Sequence, residues 1–129
     1  MQLEKEVRCS KETISQYSQA AQELSWIDRE EKGYHIIIPK TVAEFKYEGQ
    51  QQHNCVFTMQ YFIEVIDKRS IIVFLRKDKN VSFVTIEYDY ETFEVIQAHE
   101  KYNRRTNQEL YDYIVDLGKR LYFERLSHE

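Results

Sequence analysis

Apolar residues recur along this chain with two periods, and the period names the element. After Ser10, a residue type that caps helices, Ile14, Tyr17, Ala21 and Leu24 step by 3, 4 and 3, the spacing of one helical face. The pattern predicts a helix running to about Glu30, with "DREEK" as its polar end and Gly33 at the left-handed position that closes helices. "YHIII" (34–38) reads as a short β-branched strand stopped by Pro39. Thr41 and Glu44 have the capping-box spacing and predict a short helix ending at Gly49. Val56, Met59, Ile63 and Ile66 repeat the helical steps, so a second amphipathic helix should begin close to Cys55.

The middle of the chain switches to strands. "SIIVFLR" (70–76), "VSFVTIEYD" (81–89) and "FEVIQAH" (93–99) are separated by the polar turns "KDKN" and "YET". Connections this short join antiparallel neighbours and predict a three-stranded meander, with "RKDK" (76–79) as a turn of solvated charges. Ser82, Val84, Ile86 and Tyr88 share one face of the second strand; Val81, Phe83, Thr85 and Glu87 share the other. Both faces are half apolar, so helices should cover one and part of the second. Thr106 and Glu109 again have capping-box spacing. Leu110, Ile114, Leu117 and Leu121 predict a C-terminal helix over about 107–126, with Tyr111, Tyr113, Tyr122 and Phe123 packed along it.

These elements define an α+β fold: a small antiparallel sheet containing the meander, packed against three to four helices. At 129 residues with three Gly and one Pro, the chain has little room for a long linker, and residues 1–129 read as one domain. The strand at 34–38 has two open options, pairing with the meander or with another chain.

Composition narrows the function. A hydrophobic fraction of 42% and an aromatic fraction of 14% describe a packed globule rather than a disordered chain. The net charge of −4 argues against attraction of the whole molecule to duplex DNA and leaves only a local basic patch. No window approaches the roughly 18 apolar residues of a membrane span, and the first residues lack the apolar stretch of a signal peptide. A cytoplasmic location without membrane contact is expected, with Cys9 and Cys55 as free thiols.

Two constellations carry candidate chemistry. Cys55, behind the N-capping residue Asn54, falls in the first turn of its helix, where orphan N–H groups stabilise a thiolate; a neighbouring His53 would lower the thiol pKa further. Nucleophilic or thiol chemistry is one reading of that pair. The plainer one is a buried cysteine beside a loop histidine tied to backbone. Adding His35 or His99 gives a grouping short of the paired ligands of structural zinc, so neither metal nor cofactor is expected. His128 is expected exposed in a frayed tail. The second constellation is Gln97, Lys101, Tyr102, Asn103, Arg104 and Arg105, amide and cationic donors just before a helix start. They suit a phosphate, a carboxylate or a partner surface, and Tyr102 could stack on a base. The alternative is a solvated turn whose Asn and Thr serve as caps.

In order, the chain shows Glu48-Gly49, three residues, His53-x-Cys55-Val56, an amphipathic helix, "IIVFLR", a "TIE" strand, and Gln97-x-x-x-Lys101-x-Asn103. That series resembles the PcfJ-like family of conjugative plasmids, phages and related mobile elements. The resemblance spans about Pro39 to Leu121, a core preceded by the N-terminal helix, and its signature falls on Glu48, Gly49, His53, Cys55, Val56, Arg76, Gln97, Lys101 and Asn103. Asn54 stands where the family often has a second His, Phe57 where it has a small residue, and Glu100 where Gly is usual. The resemblance implies a part in mobile-element biology, best known as an accessory of the DNA-processing complex of conjugation. The expected function is therefore a non-enzymatic interaction protein acting on a protein partner that handles nucleic acid. That partner could be a conjugation factor, or a host nuclease or defence system such as CRISPR that the chain inhibits. A Cys–His enzyme using Cys55 and His53, and a single-strand nucleic-acid module using Tyr102, Arg104 and Arg105, are the alternatives.

Overall fold

The computed structural model describes residues 11–41, 43–45, 47–48, 59–100 and 104–128. Helix α1 (Lys11–Glu23) and a 3-10 turn (Ser25–Ile27) lead into strands β1 (Arg29–Glu31) and β2 (Tyr34–Ile37). Residues 43–45 and 47–48 are helical. Helix α2 (Met59–Ile66), strands β3 (Ser70–Arg76), β4 (Val84–Asp89), β5 (Val95–Glu100) and β6 (Arg104–Arg105), and helix α3 (Gln108–His128) follow. The strands form one sheet in the order β1-β2-β3-β4-β5-β6, every pair antiparallel. The α+β class and the central meander are as expected, and β2 pairs with the meander through β3.

The N-terminal helix does not run to Glu30. It stops at Glu23, and the acidic stretch opens into β1 and a two-residue hairpin turn. Lys32 (φ 50) and Gly33 (φ 78) both adopt left-handed backbone, as the tight hairpin turn with the right twist requires. Gly33 therefore closes a hairpin, not a helix. Alternating charges suit an edge strand as well as a helix end, and period alone does not separate the two. Strand β5 starts at Val95 rather than at Phe93. Phe93 takes a left-handed φ of 58 in a turn organised by Asp89, whose Oδ1 accepts from the N–H groups of Glu91 and Thr92. β4 likewise starts at Val84, not Val81. Asn107, not Thr106, caps α3: its Oδ1 accepts from Leu110 N–H at 2.8 Å. That helix continues to His128 instead of fraying after 126. At the 41–49 segment the expected cap holds, with Thr41 Oγ1 accepting from Glu44 N–H.

Helices cover both faces of the sheet. On one face Ile71, Val73, Leu75, Val84, Ile86 and Tyr88 meet Ile114, Leu117 and Leu121 of α3, all nearly inaccessible to water, and Tyr88 donates its hydroxyl proton to Ile114 O. On the other face an aromatic cluster joins α1, the helical residues after Thr41, α2 and β3: Tyr17 contacts Phe45 and Phe62, and Phe45 contacts Phe62 and Phe74. Ile14, read as part of α1's buried face, is 41% exposed, and Phe123 on α3 is 67% exposed rather than packed.

Candidate functional site

The face beneath α1 and α2 buries charge where the other buries none. Alternation along β3 and β4 directs Ser70, Arg76, Thr85 and Glu87 to it, and all four are buried. Arg76 is not a solvated turn residue. Its guanidinium meets Glu48 at 2.7 Å and donates to Lys79 O, while Thr85 donates its hydroxyl proton to the other Glu48 oxygen at 2.9 Å. Burial pushes the Glu48 carboxyl above its ordinary range; the Arg76 and Thr85 contacts pull it back. Arg76 also lies over the rings of Phe74 and Tyr47.

One strand further along, Ser70 donates to Glu87 at 2.6 Å and approaches Glu64 of α2 at 3.5 Å. Gln97 of β5, opposite Glu87 in register, donates to Glu87 at 2.8 Å and to the Tyr61 hydroxyl at 2.6 Å. With its amide protons committed, Gln97 Oε1 accepts from His99 Nε2 at 2.7 Å. His99 Nδ1 is buried and without a hydrogen-bond partner among the described residues. Burial, with the nearby Glu64 carboxylate adding to it, raises the Glu87 pKa against the pull of the Ser70 and Gln97 donors. The chain Glu64, Glu87, Gln97, His99 thus runs from under α2 to the edge of the sheet.

At that edge β6 pairs with β5 only through His99 and Glu100. Among the described residues no strand pairs with the outer edge of Val95–Ala98. A groove of about 490 Å³ follows this free edge, lined by Val95 to His99 on one side and Arg105, Thr106, Gln108 and Tyr111 on the other. Ile96 is 52% exposed beside it, and Arg104 and Arg105 are both exposed.

The structure therefore brings Gln97 and Arg105 together on one groove, with Arg104 on the adjoining strand. Arg104 and Arg105 are strand residues rather than a solvated turn. Lys101, Tyr102 and Asn103 lie outside the described residues, as do Gly49, His53, Asn54, Cys55 and Val56. His35 and His99 are not brought together: β3 and β4 separate their strands, three spacings or about 14 Å. Among the described residues no three His, Cys, Asp or Glu side chains are grouped to hold a metal ion, and no helix is long and apolar enough to cross a membrane. Sequence reasoning missed Glu64, Ser70, Glu87 and Tyr61. The available signal was the polar residues set among β-branched ones in strands that helices cover on both sides.

Three signature positions are described, Glu48, Arg76 and Gln97, and all three fall on the polar face. Neither curated proteins nor solved structures provide a match to the chain. A family model described as PcfJ-like protein matches residues 2–115. That match takes in α1 and the whole sheet with its buried charges, and the chain belongs to the PcfJ-like protein family.

Proposed function

We propose that the chain is a non-enzymatic accessory protein of a plasmid or phage that grips a protein partner which itself handles nucleic acid. The partner is a component of the DNA-processing complex of conjugation, or a host nuclease or defence complex that the chain inhibits. The observation that carries this reading is the outer edge of β5 over Val95–Ala98, with which no strand pairs among the described residues, beside Arg104 and Arg105. A strand edge offers main-chain donors and acceptors to an extended segment of another protein, with flanking side chains for specificity. Here those side chains are exposed Ile96 and Tyr111, which suit apolar positions of the incoming segment, and two arginines, which suit its carboxylates. The net charge of −4 makes this basic edge a local feature, matched to an acidic patch on a protein better than to a long polyanion.

The test is capture by tagged protein from host lysate, divided into nuclease-treated and untreated halves, with the bound protein identified by mass spectrometry. A nucleic-acid-handling protein retained after nuclease, and lost with Arg104→Glu/Arg105→Glu or with Ile96→Lys, is the expected result. A partner found only in the untreated half means that nucleic acid bridges the contact, and overturns it.

A further inference from the structure

A second groove, which shares the opening turns of α3 with the first but none of its lining residues, has a different chemistry. It encloses about 410 Å³ and is lined by Lys32, Tyr34, Lys77, Phe83, Asn107, Glu109, Leu110 and Tyr113. Four parts of the fold build it. Lys32 sits at the tip of the β1–β2 turn, Tyr34 starts β2, Lys77 and Phe83 flank the β3–β4 connection, and Asn107 to Tyr113 are the cap and opening turns of α3. Tyr34 and Phe83 are parallel to within 6° at a centroid distance of 6.4 Å. Tyr113 stacks on Tyr34 at 5.1 Å and 27°. The Tyr34–Phe83 pair is the looser of the two, near the outer limit of ring stacking. Lys77 Nζ stands 4.6 Å from the Phe83 centroid, and Lys32 Nζ 5.8 Å from that of Tyr113. Both lysines are exposed.

We infer that this groove binds a nucleotide unit, its base on the face of Phe83 that Lys77 covers and its phosphate between Lys32 and Lys77. Flat rings in the groove provide a sequence-tolerant stacking surface for any base. Two cations against the one carboxylate of Glu109 leave the lining net positive, which repels a cationic ligand and attracts an anionic one. The cation–π contacts are weak at exposed sites. Each lysine can therefore leave its ring for a phosphate, and the base takes the vacated face of Phe83. Paired bases in a duplex are not free to stack there, so the ligand is a free nucleotide or a single strand. No residue of the basic β5–β6 edge contributes, so this site stands independently of the proposed protein contact.

The experiment is a titration of the full chain with a fluorescent oligothymidylate of about ten nucleotides, with a mononucleotide, and with a duplex, alongside Lys32→Glu/Lys77→Glu and Phe83→Leu. Thermal melts of each variant establish that it folds; both lysines are exposed, so the charge reversal should leave the melt unchanged. Binding by oligonucleotide alone identifies a strand site, and binding by mononucleotide as well identifies a nucleotide site. In either case Phe83→Leu should weaken binding about fivefold to a hundredfold, the worth of one stacked base. The charge reversal should remove the salt dependence. One phosphate neutralised on a single strand predicts an affinity loss of about two- to threefold between 50 and 200 mM salt. No binding by either ligand, equal binding by duplex, or affinity indifferent to the variants overturns the inference.

Discussion

The two faces of this sheet present the same backbone to opposite chemistry. Beneath α3 the contact is hydrocarbon throughout: Val73, Val84, Ile86 and Tyr88 meet Ile114, Leu117 and Leu121, and the one polar group in the middle, the Tyr88 hydroxyl, is satisfied by Ile114 O. Beneath α1 and α2 the same strands bury Glu48, Ser70, Arg76, Thr85 and Glu87. Apolar burial stabilises in proportion to area, about 25 cal/mol per Å², whatever its detail. A buried ion pair often does no better than hydrocarbon of the same volume. Both faces bury apolar side chains. Only the one beneath α1 and α2 also accepts the cost of buried charge, and it is the face that carries the described signature residues and leads through Gln97 and His99 to the outer edge of β5.

The largest effect should come from breaking the polar face at its ion pair. Arg76→Met removes the guanidinium facing Glu48, a carboxylate with no exposed surface, and leaves the Thr85 hydroxyl donating to it. Losing one partner of a buried pair costs about 3–5 kcal/mol, read as a shift in the urea midpoint at unchanged slope. The double variant Glu48→Gln/Arg76→Met should regain much of that loss. If it is as unstable as the single variant, the pair is worth more than hydrocarbon and the contrast between the faces fails. The apolar face breaks differently, by overfilling. A Cβ on Gly118 of α3 would stand 2.4 Å from Phe93 O and 2.8 Å from the Tyr88 ring. Alanine is the better helix former by up to about 1 kcal/mol, yet Gly118→Ala should destabilise by about 1–3 kcal/mol because backbone has to move. A stabilised Gly118→Ala would mean that α3 packs with slack.

The same contrast explains what was legible in the sequence. Period separated strands from helices wherever an element is long and one side of it is apolar, so α1, α2, β3, β4, β5 and α3 were all readable. β1 was not, because three charged residues on an edge strand carry no period. Gln97 and Arg105 reach one groove because they are close along the chain. The buried network was hidden for the opposite reason: Arg76 finds Glu48 from 28 residues away, and Glu87 finds Ser70 from 17. Arg76 in particular stands at the junction of strand and turn, where a charged residue reads as solvated unless its partner is known. The aromatic groove at Tyr34, Phe83 and Tyr113 was hidden for the same reason, since its members come from three separate parts of the chain.

The smallest effect, and the sharpest test of the comparison, is the response to pH. Burial and Glu64 raise the Glu87 pKa, so between its unfolded and folded values the native state holds a proton that the unfolded chain has released. Stability from this group is therefore complete below the unfolded pKa, about 4.3, and falls as pH rises through the folded one, at most about 1.4 kcal/mol per pH unit. Glu87→Gln removes that slope, and wild type should lose ground to the variant as pH rises. On the α3 side, Glu31 behaves in the opposite sense. Hydrogen bonds from Arg120 foremost, with Tyr113 assisting against burial, hold its pKa low. The stability it contributes is present above the unfolded pKa and is lost as pH falls through the folded one. Glu31→Gln should therefore cost stability at neutral pH, and that cost should vanish on acidification. Parallel urea titrations of wild type, Glu87→Gln and Glu31→Gln across the acid range should show differences that slope in opposite directions. If both slope the same way, Glu87 is ionised as easily as a rim carboxylate, and the face beneath α2 is wet rather than buried.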